Sequence, residues 1–255
     1  MQRPAISVAA ALVGLSLAAS GAFAARNASI PKYVSDAVAD KARPAADTER
    51  DAKRKPAETI TFAGVKPGDW VLELAPGKGY FTRILSGVVG PRGQISVYTI
   101  GAPPKPDAPP PPIVAVAADP HYSNVKVTLQ RLVDVKPTNS FDVVWTTQNY
   151  HDFHNLADPQ IATINQAIFN ALKPGGVYFV LDHAAEAGSG ARDTNTLHRI
   201  DEETVKQEVK AAGFELVGES DILRNKSDPH TGKVFEGAIQ GHTDQFLLKF
   251  RKPAK

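Results

Sequence analysis

From Trp70 onward, short apolar runs alternate with stretches whose apolar positions recur every three or four residues, the pattern of strand, helix, strand. Residues 71–74 read as a buried strand, Gly77 and Gly79 as a turn, and Phe81, Ile84, Leu85 and Val88 as one face of a helix ending at Gly90-Pro91-Arg92-Gly93. Further strands are predicted at 95–100, 125–129, 141–145 and 177–181. Asp158-Pro159 predicts a helix start in cap-then-proline order. Ile161, Ile164, Ile168 and Leu172 share that helix's apolar face, and Lys173-Pro174-Gly175-Gly176 stops it. The last helix spans 201–212, with Asp201, Glu202 and Glu203 in its first turn and Gly213 beyond its end. Closing strands follow at 214–217 and 245–250. The sum is a doubly wound α/β fold with a mostly parallel seven-stranded sheet between helical layers.

Two stretches stand outside this rhythm. Residues 25–56 are polar, with an amphipathic piece at Tyr33, Val34, Ala37 and Val38, and read as one or two lead-in helices; a short helix at 57–63 then ends at Gly64. Residues 102–112 carry seven prolines, which predicts an extended surface loop serving as a spacer. The Gly188-Ser189-Gly190 run reads as a mobile loop, a candidate lid.

Arg3, the apolar stretch 5–19 and Ala22-Phe23-Ala24 form the three parts of a secretory signal peptide over residues 1–24. The expected mature protein is exported, periplasmic if the source is Gram-negative, and without a membrane span. The chain has no cysteine, which removes thiolate metal sites, thiol nucleophiles and disulfides. Its net charge of +2 shows no basic run of the kind nucleic-acid binders use, so no nucleic-acid partner is expected; Glu49 to Lys55 reads as a solvated helix face.

The turn after the first strand, Glu73-Leu74-Ala75-Pro76-Gly77-Lys78-Gly79-Tyr80, lets backbone approach a ligand, and the helix start behind it offers free amides. Thr82 stands where a dinucleotide fingerprint needs its third glycine, and no Gly-Lys-Ser/Thr follows, which disfavours NAD, FAD and nucleoside triphosphates. An acid at the strand end followed by small-x-Gly-x-Gly resembles motif I of class I S-adenosylmethionine-dependent methyltransferases. Lys66-Pro67-Gly68-Asp69, Phe141-Asp142-Val143-Val144 and Leu172-Lys173-Pro174-Gly175-Gly176 extend the likeness. Runs at 148–153, 197–201 and 222–225 resemble a family of exported methyltransferases. The resemblance covers about residues 40–252 and implies a methyltransferase domain over 57–252. It implies S-adenosylmethionine as cofactor, held by Glu73, Leu74, Ala75, Gly77, Gly79, Tyr80, Thr99 and Asn149. Three positions depart from it: Ala75 replaces the loop's first glycine, Thr99 the ribose-binding acid, and Gln130-Arg131-Leu132 the adenine-side acid.

Asn149, Tyr150, His151, Asp152 and His154 follow the fourth strand, Asp182 and His183 the fifth, and His198 precedes the last helix. In an open α/β sheet these strand ends share one crevice. His151, His183, Asp152 and His154 are therefore the candidate catalytic residues for a small-molecule acceptor, with histidine suited to a proton that must leave near neutral pH. His198 with Asp201 reads as fixing a helix start. A metal held by His151, His154, Asp152, Asp182 and His183 is the alternative to the favoured metal-free site. The functional alternative is an exported ligand- or partner-binding protein that kept the fold and lost transfer.

Overall fold

The computed structural model describes residues 29–105, 107–134, 139–158 and 160–254. The expected signal peptide lies outside the described residues. Among those described, no helix is long and apolar enough to cross a membrane.

Four helices lead in: α1 Lys32–Val38, α2 Ala45–Thr48, α3 Asp51–Arg54 and α4 Pro56–Ala63, so the described residues 29–55 carry three short helices where one or two were expected over 25–56. The alternating unit then runs β1 Trp70–Leu74, α5 Tyr80–Val89, β2 Gln94–Thr99, α6 Pro112–Ala118, β3 Val125–Arg131, β4 Phe141–Thr147, α7 Tyr150–Phe153, α8 Ile161–Ala171, β5 Leu172–His183, α9 Glu202–Ala211, β6 Glu215–Ser220 and β7 Gln245–Arg251. The seven strands form one sheet in the order β3-β2-β1-β4-β5-β7-β6, with β7 antiparallel to both neighbours and the other pairs parallel.

Side chains alternate across each strand and so feed two cores. Val71, Trp145 and Phe179 pack with α1, α4, α5 and α6 on one face, while Leu72, Val144 and Tyr178 pack with α7, α8 and α9 on the other. Strand order reverses between β1 and β4, so the crevice at their carboxyl ends is where this architecture places a ligand.

Several boundaries depart from expectation. The helix expected from Asp158 begins at Ile161, with Gln160 at its N-cap and no side-chain cap bond. Leu172 leaves that helix and starts β5, because it pairs with Phe141 while Gly175 and Gly176 bond to Lys252. The proline run is not extended throughout: the Ala108 N–H bonds back to the Lys105 carbonyl in a turn, and only Pro111 of the residues next to α6 is extended. Pro112 takes the first position of α6, where a fixed φ and a missing N–H cost nothing. The Gly188–Gly190 turn is tied at both ends to Asp201, whose carboxylate accepts from the Gly188 N–H and whose own N–H donates to the Gly190 carbonyl.

Candidate active site

The loop after β1 has the backbone its glycines imply. Gly77 lies at φ +60° and Gly79 at φ +81°, both left-handed. A Cβ on Gly77 would meet nothing within 4 Å, whereas one on Gly79 would press on Val116 at 3.0 Å and Ile113 at 3.2 Å. Gly77 thus leaves an open cradle, and Gly79 lets α6 close on the loop. Ala75 also sits left-handed, at φ 49°, in the place where the resemblance expects glycine.

Glu73 is buried, and its carboxylate accepts a 2.6 Å hydrogen bond from the Thr82 hydroxyl. Burial pushes its pKa up to about 7, against the Thr82 bond and the charge of Arg54. A raised acid stabilises the fold fully below its unfolded pKa, and that stability is lost as pH rises through the folded one. Relative to Glu73→Gln, the natural protein should therefore lose about 3 kcal/mol between pH 4.5 and 8. Urea unfolding across that range measures the difference, and a pH-independent gap would contradict it.

The other loop residues divide. Leu74 is buried in the core, and Tyr80 turns toward the lead-in helices, donating its hydroxyl to Asp51 at 2.7 Å. Thr99 ends β2 with its hydroxyl on the Gly101 carbonyl, 3.1 Å away. Asn149 reaches across from the end of β4: its amide nitrogen donates to the carbonyls of Leu74 and Ala75, both at 3.1 Å. Its amide oxygen is buried and has no partner among the described residues. A buried acceptor left unmatched beside an open glycine cradle suits a ligand carrying a donor or a positive charge. S-adenosylmethionine, with its ammonium and sulfonium, fits that chemistry.

Asp182 and His183, expected to follow the fifth strand, are the last two residues of β5, and Asp182 organises the residues around them. Its buried carboxylate accepts the His151 backbone N–H at 2.8 Å, the His151 Nδ1 at 2.9 Å and the His183 backbone N–H at 2.8 Å. Burial alone would raise the Asp182 carboxyl, but the charge and bonds of His151 outweigh it and hold it below the ordinary range. Burial in turn pulls His151 down, and the Asp182 charge and bond, with Asp152, more than restore it, leaving it above the usual histidine value. His183 is pulled down to about 4, chiefly by burial, and is neutral at pH 7; its Nδ1 meets the Thr243 hydroxyl at 2.7 Å.

His154 does not join this group. It leans on Glu208 of α9 at 3.2 Å, and that carboxylate also takes the Tyr150 hydroxyl. Residues 150–153 form one helical turn, which the sequence pattern did not announce. His198 comes in instead: its ring stands edge-on to His151 with centroids 5.4 Å apart, and its Nδ1 lies 4.0 Å from Asp152. Asp201, not His198, caps α9.

Beside these residues lies a cavity of about 370 Å³, lined by Arg50, Lys53, Arg54, Gln148, His183 and Phe235 among others. Arg54 stacks on Tyr80 and Phe81 and donates to Gln148 at 2.7 Å. Burial, then Arg50, lower its pKa to about 10. Among the described residues, Arg50, Lys53 and Arg54 form no ion pair, so the cavity wall is cationic. The stretch expected to be a solvated face thus turns a cation inward. The mixed charges of Glu49 to Lys55 carried no signal for this, because only the packing of α3 against α5 decides which side is wet.

No protein-family model matches the chain. The chain is 28% identical over 141 residues to a ubiquinone/menaquinone biosynthesis C-methyltransferase, UbiE, of Ectopseudomonas mendocina, covering 49% of this chain and 45% of that protein. The chain spans about half the length of the curated relatives it matches. Among solved structures, a SAM-dependent methyltransferase from Aquifex aeolicus superposes with a TM-score of 0.57 at 16% identity, over 86% of this chain and 97% of that one. The fold is that of the class I methyltransferases. The [4+2]-cyclase SpnF also superposes, with a TM-score of 0.54 at 20% identity over 83% and 82% of the two chains, so this fold carries more than one chemistry.

Proposed function

We propose that the protein transfers the methyl group of S-adenosylmethionine to a small-molecule acceptor, with the cofactor on the loop 73–80 and the acceptor beside His151, Asp152 and His183. The observation that carries this reading is Asn149. Its amide ties the end of β4 to the glycine loop, and His151, two residues on, begins the polar side of the crevice. One residue thus joins the cofactor side to the acceptor side. The partial likeness to a C-methyltransferase supports the same reading.

The cofactor supplies an activated methyl group; the protein's share is positioning. Asn149 and the open backbone at Gly77 would hold the methionine end, with Glu73 buried behind. His151, fixed by Asp182, would orient the acceptor and take its proton where it carries one. Export belongs to this proposal: residues 1–24 would be removed, and N-terminal sequencing of exported protein should begin at Ala25.

Calorimetric titration of the mature protein with S-adenosylmethionine and S-adenosylhomocysteine tests the reading. Binding is expected to be weaker than an acid at position 99 would give, since a carboxylate pairs with both hydroxyls of a diol and a single threonine hydroxyl cannot. Thr99→Asp should therefore tighten it by about 10-fold, the value of one good hydrogen bond to a charged group. Absence of binding in both forms would leave the alternative, a binding protein without transfer.

A further inference from the structure

We propose that His151, Asp152 and His198 bind a divalent transition-metal ion, Zn²⁺ or one of like ligand preference. This stands independently of the methyl-transfer reading. The set is not the one expected from the sequence: His154 is taken by Glu208, and the His183 Nδ1 by Thr243.

One ligand atom from each of the three residues lies within 4.8 Å of the others. The His151 Nε2 is 3.4 Å from the Asp152 carboxylate, and the His198 Nδ1 is 4.0 Å from the same oxygen. These are too long for strong hydrogen bonds. Metal–ligand bonds of about 2.0–2.2 Å place adjacent ligands about 3.0–3.5 Å apart, so a shift of roughly an ångström in the His198 side chain would complete the site. The groups converge without satisfying one another, as ligands around an ion do.

Two further features point the same way. Asp182 holds the His151 Nδ1 at 2.9 Å, which leaves Nε2 to face Asp152 and His198. A carboxylate on the far nitrogen of an imidazole is the usual support of a metal-bound histidine. His198 is held at φ 57°, left-handed for a residue with a side chain. The strain is maintained from both sides: the Leu197 carbonyl accepts from Val234, the Arg199 guanidinium grips the Ala184 carbonyl, and Ile200 bonds to His183.

Two imidazoles and one carboxylate suit Zn²⁺, Fe²⁺, Co²⁺ or Ni²⁺ better than Mg²⁺ or Ca²⁺, which prefer all-oxygen sets. Asp152 and His198 are partly exposed, at 40% and 32% of their side chains, so one side stays open to water or an acceptor oxygen.

The test uses the full chain without a histidine tag, stripped with a chelator and titrated with Zn²⁺ by calorimetry and with Co²⁺ by visible absorption. One equivalent should bind. Asp152→Asn and His198→Gln, both at partly exposed positions, should each weaken Zn²⁺ by at least about 100-fold, and Asp182→Asn by about 10- to 100-fold. His154→Ala should bind as the natural protein does. Sub-stoichiometric binding, or affinity unchanged in both Asp152→Asn and His198→Gln, would overturn the proposal, as would an equal loss in His154→Ala. Titration of the same samples with S-adenosylhomocysteine separates the two readings. Cofactor binding without metal defeats only the site proposed here, and metal binding without cofactor defeats only the transfer reading.

Discussion

Replacing Gly77 with valine should lower affinity for S-adenosylmethionine by more than about 100-fold, or about 2.7 kcal/mol, while leaving the protein folded. The two effects separate because of where the new side chain would go. Nothing in the protein lies within 4 Å of a Cβ at this position, so no core contact is disturbed. The fold bears only the left-handed backbone strain at φ +60°, about 1–2 kcal/mol, somewhat more for a β-branched residue. The branched methyls would instead stand in the open space at the turn. Gly79→Ala makes the contrast, since its Cβ would press on the side chains of Val116 and Ile113 in α6, which would have to give by a few tenths of an ångström. Calorimetry with S-adenosylhomocysteine and thermal unfolding, run on both variants, distinguish a ligand cradle from a packing glycine. Full affinity in Gly77→Val would place the cofactor elsewhere.

Arg199→Met should destabilise the fold by about 3–5 kcal/mol, the effect of stranding a buried charge. The guanidinium is 0% exposed and meets Asp228, also 0% exposed, at 2.7 Å. It donates as well to the carbonyls of Gly232 and Ala184, each at 2.9 Å. Without it, Asp228 keeps the backbone N–H groups of His230 and Asp244 but loses its counter-charge. Asp228→Leu added to Arg199→Met should recover part of the loss, because removing both charges also removes the uncompensated one. Urea unfolding of the two singles and the double gives the coupling. Equal losses in Arg199→Met and the double variant would mean that lost packing, not the stranded charge, dominates. The same arginine holds the segment carrying His198, so its removal should also disorder the crevice wall.

Much of the site was legible because it depends on local chemistry. Gly77 and Gly79 mark a tight turn through the φ values that glycine alone gives cheaply, and with Glu73 they stand at the end of β1 as expected. Asn149 and His151 were legible by position, since they follow β4, and Asp182 and His183, expected just past the fifth strand, are the last two residues of β5; all four stand at carboxyl ends that open on the crevice. His154 shows the limit. Three residues beyond His151, it shares the cluster in sequence, yet Glu208 of α9 draws it away. His198 shows the converse, a residue 47 positions beyond His151 that meets it because Ile200 and Arg199 dock their segment against β5.

What the sequence by itself determined is the succession of strands and helices, the doubly wound class and the loop after β1. These rest on periodicity and turn chemistry, which act over a few residues. Tertiary structure decided where those signals compete. Leu172 fits the apolar face of α8 as well as the start of β5, and only pairing with Phe141 assigns it to the strand. Pro112 closes a run too rich in proline for helix, yet it opens α6, whose Ile113 and Val116 pack against Gly79. Arg54 reads as one charge among several, and its place under Tyr80 and at the cavity wall follows only from how α3 packs on α5. Convergence of His151, Asp152 and His198 is of the same kind, for contacts between distant segments are set by the packing of the whole sheet and leave no local period to read.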